Sequence, residues 1–216
     1  MKKIFLLLFV TLLALNAFAQ SESNYQKRSL FEILPIHADD IVFLGNSITD
    51  YCEWAELFDN PHIKNRGISG DRSGWMLERL DPIIKGHPAQ LFLLVGTNDL
   101  AAGIRPETVV ANISKIVTRF ANESPTTQVY IQSVFPVNGV DTKVKPRAHW
   151  KKGAEIIETN RLLQGLCAER GLYYLDIYTA LVDDKGMLDK RYTNDGLHLM
   201  ADGYLVWKEI LKKYIK

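Results

Sequence analysis

Five short apolar runs, at residues 41–44, 63–68, 91–95, 129–134 and 172–177, alternate along this chain with segments whose apolar residues recur at helical spacing. Branched and aromatic residues without polar alternation are the mark of strands buried on both faces. The second run is the weakest, because Lys64, Asn65 and Arg66 interrupt it. Strands alternating with helices predict a parallel sheet covered on both sides, a three-layer α/β/α sandwich with five strands. Ser73 reads as the N-cap of a helix reaching Ile84, with Met76, Leu77, Leu80 and Ile83 on one face. Pro106 suits the first position of another helix, whose Val109, Ile113, Ile116 and Phe120 share a face. Further helices are expected at 51–58, at 153–169 with Gly171 ending it, and at 201–214. Residues 21–27 read as a polar leader and 136–146 as a long surface loop.

The first residues carry an export pattern. Lys2 and Lys3 precede an apolar stretch from Ile4 to Leu15, and Ala17-Phe18-Ala19 supplies a small-x-small cleavage site before Gln20. Residues 1–19 are expected to be a signal peptide, removed on export to the periplasm or medium. The stretch is too short for a comfortable span, and no basic cluster adjoins it, so no stable membrane anchor is expected after cleavage. The remainder, 20–216, is of a length for one well-buried domain. With 26 Lys+Arg against 25 Asp+Glu, the chain lacks the basic excess of a nucleic-acid binder. Cys52 and Cys167 belong to no CxxC or Cys/His cluster and read as two buried thiols.

In such a sheet the loops at the carboxyl ends of the strands share one rim, where residues distant in sequence meet. Four segments there are chemically unusual: Gly45-Asn46-Ser47, Gly67-Ile68-Ser69-Gly70-Asp71, Gly96-Thr97-Asn98-Asp99 and Asp195-Gly196-Leu197-His198. Acyl transfer needs a nucleophile, a base oriented by a third group, and donors where oxyanion charge develops. Ser47 is the nucleophile candidate, His198 the base and Asp195 the group able to hold its tautomer. Asn98 offers an amide, and Gly70 offers a backbone N–H that substrate can approach closely.

These four segments resemble the blocks of the SGNH hydrolases, the GDSL-type esterase superfamily, over nearly the whole expected mature chain. The second and third segments are most similar to the single-domain branch typified by platelet-activating-factor acetylhydrolase subunits. The resemblance implies a flavodoxin-like SGNH topology, a catalytic Ser47, Asp195 and His198, and an oxyanion hole made by the Ser47 and Gly70 amides and the Asn98 side chain. It also implies a serine esterase that needs no cofactor and no metal. One departure stands out: the family's Gly-Asp-Ser block is Gly45-Asn46-Ser47 here. Asparagine keeps the acceptor oxygen and loses the charge.

Asn46, Asp71, Arg72, Trp75 and Trp150 flank the rim and are candidate substrate contacts, with Trp54 a further rim aromatic. Lys143, Lys145, Arg147, Lys151 and Lys152 could meet an anionic group. Export and a polar insertion without an apolar lid suggest a small-molecule or glycan ester, with O-acetylated carbohydrate the leading expectation. Lysophospholipase or thioesterase activity on the same site is the alternative, as is a non-catalytic carbohydrate-binding protein. A mononucleotide binder of similar topology would need a phosphate-cradling loop, and the sequence has no GxGxxG or P-loop. No histidine pair has zinc-ligand spacing.

Overall fold

The computed structural model describes residues 22–139, 144–145 and 147–215; the expected signal segment and Lys143 lie outside the described residues. Its strands are β1 (Ile41–Gly45), β2 (Ile63–Gly67), β3 (Gln90–Leu94), β4 (Gln128–Gln132) and β5 (Tyr173–Leu175). All pair in parallel, in the order β2-β1-β3-β4-β5. The helices are α1 (Glu22–Ile33), α2 (Ser47–Asp50), α3 (Trp54–Phe58), α4 (Ser73–Leu77), α5 (Asp81–Ile84), α6 (Thr97–Ala101), α7 (Pro106–Glu123), α8 (Gly153–Arg170), α9 (Tyr178–Leu181) and α10 (Ala201–Leu211).

Successive strand residues face opposite layers, which is why the strands are apolar throughout. Val42, Leu44, Leu91, Leu93 and Ile131 enter one core beneath α7 and α8. Ile41, Phe43, Phe92, Leu94 and Tyr130 enter the other, beneath Trp54 and Trp207. Each such side chain contributes about 1.5–3 kcal/mol by leaving water. The architecture is the expected α/β/α sandwich. Cys167 lies in the first core and Cys52 in the second; both are free.

The topology also places the site. Gly45 of β1 pairs with Gly67 on one side and Leu94 on the other, so three strands end level. From β1 the chain runs to one flank for β2 and returns to the other for β3. A reversal of this kind opens a crevice at the strands' carboxyl ends.

Four local expectations are corrected. The polar leader is instead the start of α1, which seats Phe31 under the Arg66 guanidinium and ties Lys27 to Asp50. The helix expected from Ser73 to Ile84 is two helices, because Pro82 can neither donate an N–H nor tolerate the preceding turn. Ser73 is a first-turn residue rather than the N-cap, which is Arg72. The fifth strand is three residues long, an edge strand with Tyr173 half exposed.

Candidate active site

Where β1 ends, Asn46 adopts an extended backbone and caps α2, its Oδ1 accepting from Ile48 N at 3.0 Å. The cap turns the chain sharply, so Ser47 becomes the first helical residue at the strand's end. Its hydroxyl donates to His198 Nε2 over 3.0 Å. His198 comes from the far end of the chain, in the loop before α10. There Asp195 Oδ1 accepts from Leu197 N at 2.9 Å and His198 N at 2.8 Å, a local turn that folds the histidine back over its own carboxylate. The ring closes the arrangement, Nδ1 donating to Asp195 Oδ2 at 2.7 Å. That bond sets the tautomer, with Nε2 left to accept from the serine. Burial pushes the Asp195 carboxyl up, but its bonds from His198 and Leu197 outweigh this and hold it below the usual carboxylate range.

Gly196 makes this turn possible. Its φ is +74°, and a Cβ there would fall 1.6 Å from the Asn138 carbonyl oxygen. On the other side of Ser47, Asp71 N donates to Ile68 O, closing a turn with Gly70 at φ +80°. Ser69 N and Oγ both donate to Asp50 Oδ2, at 3.1 and 2.7 Å, which ties the Gly70 loop to the serine helix. Asn98, in the first turn of α6, donates from Nδ2 to Asp71 O at 3.0 Å. Hydrogen bonds thus join Ser47's helix, the Gly70 loop and Asn98 into one edge. Among the described residues, neither the Ser47 nor the Gly70 amide has a hydrogen-bond acceptor.

Several candidate contacts have structural roles instead. Asn46 is buried and its oxygen is spent on the α2 cap. Asp71 is fully buried against Arg79, which donates from Nε at 2.7 Å. Trp150 braces the triad loop, its Nε1 donating to Asp195 O at 3.1 Å. Trp54 lies in the core, stacked on Phe43. Arg72 covers the Trp75 ring at 4.5 Å, and both are half-buried beside the Gly70 loop. Of the loop cations, Arg147 lies 3.1 Å from Asp195 Oδ2 and Lys152 pairs with Glu155 at 2.8 Å.

Three residues of the site escaped sequence reasoning. His149 Nε2 donates to Asn98 Oδ1 at 3.0 Å; burial and the Arg147 charge push its pKa down to about 4. It stands in the cationic stretch 147–152, past the surface loop expected at 136–146, where no spacing marks it as part of a site. Asp99, buried completely, accepts from Ser73 N and Oγ and so pins α6 to α4. Tyr51, at the C-cap of α2, sets its ring 5.0 Å from that of His198. From Tyr51 an open, largely apolar groove of about 450 Å³ runs past Leu57, Tyr204 and Leu205, with Glu53 and Glu56 on its wall.

Similarity to known proteins agrees with this geometry. The chain is 29% identical over 171 residues to human platelet-activating factor acetylhydrolase IB subunit alpha1, covering 76% of this chain and 70% of that one. It is 25% identical over 199 residues to N-acylneuraminate cytidylyltransferase of Escherichia coli, covering 88% of this chain but only 43% of that protein's length. A solved structure from Streptococcus pneumonia that carries the name of a platelet activating factor superposes with a TM-score of 0.81 at 28% identity, covering 97% of this chain and 99% of that one. The family described as GDSL-like Lipase/Acylhydrolase matches residues 43–206, from within β1 to within α10. This chain therefore belongs to the GDSL-like lipase/acylhydrolase family and is an ester-hydrolysing enzyme of the SGNH serine type.

Proposed function

We propose that the protein cleaves short-chain oxygen esters through an acyl-enzyme on Ser47. One observation carries this reading: the unbroken relay from Ser47 Oγ to His198 Nε2 at 3.0 Å and from His198 Nδ1 to Asp195 Oδ2 at 2.7 Å. Ser47 Oγ attacks the ester carbonyl while His198 Nε2 takes its proton, and Asp195 stabilises the imidazolium that forms. The tetrahedral oxyanion is held by the Ser47 and Gly70 amides and by the Asn98 Nδ2 hydrogen that Asp71 leaves free. Collapse expels the alcohol, which takes the proton back from His198. Water then attacks the acyl-enzyme by the same route and releases the acid. In 4-nitrophenyl acetate hydrolysis, Ser47→Ala should lower kcat by about four orders of magnitude or more with the fold retained. Activity near wild type would remove Ser47 from the mechanism.

For the ester itself, we favour an acetyl or similarly short acyl group on an alcohol with a lipid-like apolar part. The acetylhydrolase relatives support the acyl half, the lipase family supports the alcohol half, and the groove leading from Tyr51 supplies an apolar surface beside the base. The expectation that lipid is disfavoured for want of a lid loses its force beside that groove. O-acetylated carbohydrate is the second reading, supported by the similarity to part of N-acylneuraminate cytidylyltransferase. Acetyl esters of long alkyl alcohols compared with acetylated sugars at equal concentration separate the two. A higher kcat/KM on the sugars would replace the lipid reading. We also propose export with cleavage before Gln20, checked by N-terminal sequencing of the secreted or periplasmic chain.

A further inference from the structure

We propose that His149 is a positioning residue that fixes the orientation of the Asn98 amide toward the developing oxyanion. The inference rests on Asn98 being an oxyanion donor. A primary amide has two faces of nearly equal shape, and a half-turn about its last bond exchanges oxygen for nitrogen. Flipped, Asn98 would present its carbonyl oxygen to the substrate's developing negative charge, turning an attraction into a repulsion. Asn98 is held at both ends. Its Nδ2 donates to the Asp71 carbonyl at 3.0 Å, and its Oδ1 accepts from His149 Nε2 at 3.0 Å. A flip would set two acceptors against each other at Asp71, and His149 could follow it only by moving its proton to the buried Nδ1, which has no acceptor among the described residues. One Nδ2 hydrogen remains, and it is the donor proposed for the oxyanion.

The surroundings suit this task. His149 sits in a 3-10 turn, Ala148–Lys151, whose neighbours on either side engage the other half of the machinery. Arg147 lies against Asp195 Oδ2, and Trp150 donates to Asp195 O. One four-residue stretch therefore holds both the triad acid and the oxyanion donor. Burial and the adjacent Arg147 keep the imidazole neutral, so it adds no charge beside His198. Among the described residues its buried Nδ1 has no hydrogen-bond partner, and the bond to Asn98 alone ties the ring's nitrogens to them.

A double-mutant cycle tests the inference, with kcat and KM measured on 4-nitrophenyl acetate. His149→Phe keeps a ring and removes the donor, while His149→Gln keeps a donor. His149→Leu repeats the cycle should phenylalanine unfold the turn. Asn98→Ala should lower kcat by about two to three powers of ten, and His149→Phe by about tenfold with KM within about twofold. Glutamine should restore most of the loss. The double variant should match Asn98→Ala alone, because an absent amide needs no orienting. Losses that multiply in the double variant, or a glutamine no better than phenylalanine, would overturn the role of His149. An Asn98→Ala enzyme with wild-type kcat would instead overturn the oxyanion reading beneath it.

Discussion

Arg79 and Asp71 form a buried ion pair at 2.7 Å, and the same guanidinium donates to the carbonyl oxygens of Arg66 at 3.0 Å and Gly45 at 3.2 Å. One side chain thus ties together the ends of β1 and β2 and the loop that carries Gly70. Burial raises the Asp71 carboxyl above its ordinary range, with Arg79 opposing the rise. Removing Arg79 strands a carboxylate in the interior, which typically costs about 3–5 kcal/mol.

Arg79→Ala should accordingly unfold at much lower urea than wild type at neutral pH. A carboxyl with a raised folded pKa favours the fold at low pH and penalises it as pH rises through that value. Part of the lost stability should therefore return on mild acidification. The Asp71→Asn/Arg79→Met pair should be less damaged than Arg79→Ala, since it leaves no buried charge. Equal urea midpoints for the three proteins would show that the pair does not brace the loops.

This pair also marks where sequence reasoning reached its limit. The strands were legible from their periodicity, and the meeting of Ser47, Asn98, Asp195 and His198 on one rim from the order of the loops that carry them. Asp71 and Trp150 were not, since a carboxylate or indole beside a catalytic loop looks the same whether it faces substrate or a buried partner. Asp71 turns inward to Arg79, eight residues later, and Trp150 reaches back to the Asp195 carbonyl. The helix α1 was hidden for a different reason. It buries only Asn24 and Phe31, too thin a stripe to register as amphipathic. His149 was obscured by the cations around it, whose charge says nothing about whether the imidazole among them turns inward.

Gly196 offers a sharper test of the triad turn. An alanine there meets both a positive φ and a Cβ placed inside the contact distance of the Asn138 carbonyl oxygen. The loop must move, and Asp195 and His198 move with it. Gly196→Ala should lower kcat by at least about a hundredfold, as misplacing catalytic groups by an ångström does. A crystal structure or kcat indistinguishable from wild type would mean that the loop absorbs the methyl without disturbing the relay.

Asp99 predicts a pH signature in stability rather than in catalysis. Burial outweighs its hydrogen bonds from Ser73 and raises its pKa from 3.8 to about 6. Because the folded value lies above the unfolded one, its contribution to stability is fully present below pH ~4 and is lost as pH rises through about 6. The shift corresponds to about 3 kcal/mol. Asp99→Asn loses an acceptor for Ser73 but carries no charge to bury. The difference in unfolding free energy between wild type and Asp99→Asn should thus move in the variant's favour between pH 4 and 7. A difference independent of pH would show that Asp99 titrates normally.

The groove beginning at Tyr51 makes the last prediction, on substrate length. Leu205 is half exposed on α10 at the groove's wall and is not itself a member of the Ser47–His198–Asp195 relay. An alcohol of one or two carbons ends before it, whereas a long alkyl chain lying in the groove would cover it. Each buried methylene contributes about 0.8 kcal/mol, so an apolar alcohol should show kcat/KM rising with chain length until the groove is filled. Leu205→Glu replaces that apolar wall with a third carboxylate beside Glu53 and Glu56. The variant should flatten the rise for long alkyl acetates and leave ethyl acetate hydrolysis nearly unchanged. The effect should appear in kcat/KM through KM, because the groove binds ground and transition states alike. A parallel fall for short and long esters would place Leu205 in folding rather than in recognition. An unchanged chain-length profile would take the groove out of the substrate path and turn attention to the Arg72–Trp75 side of the Gly70 loop.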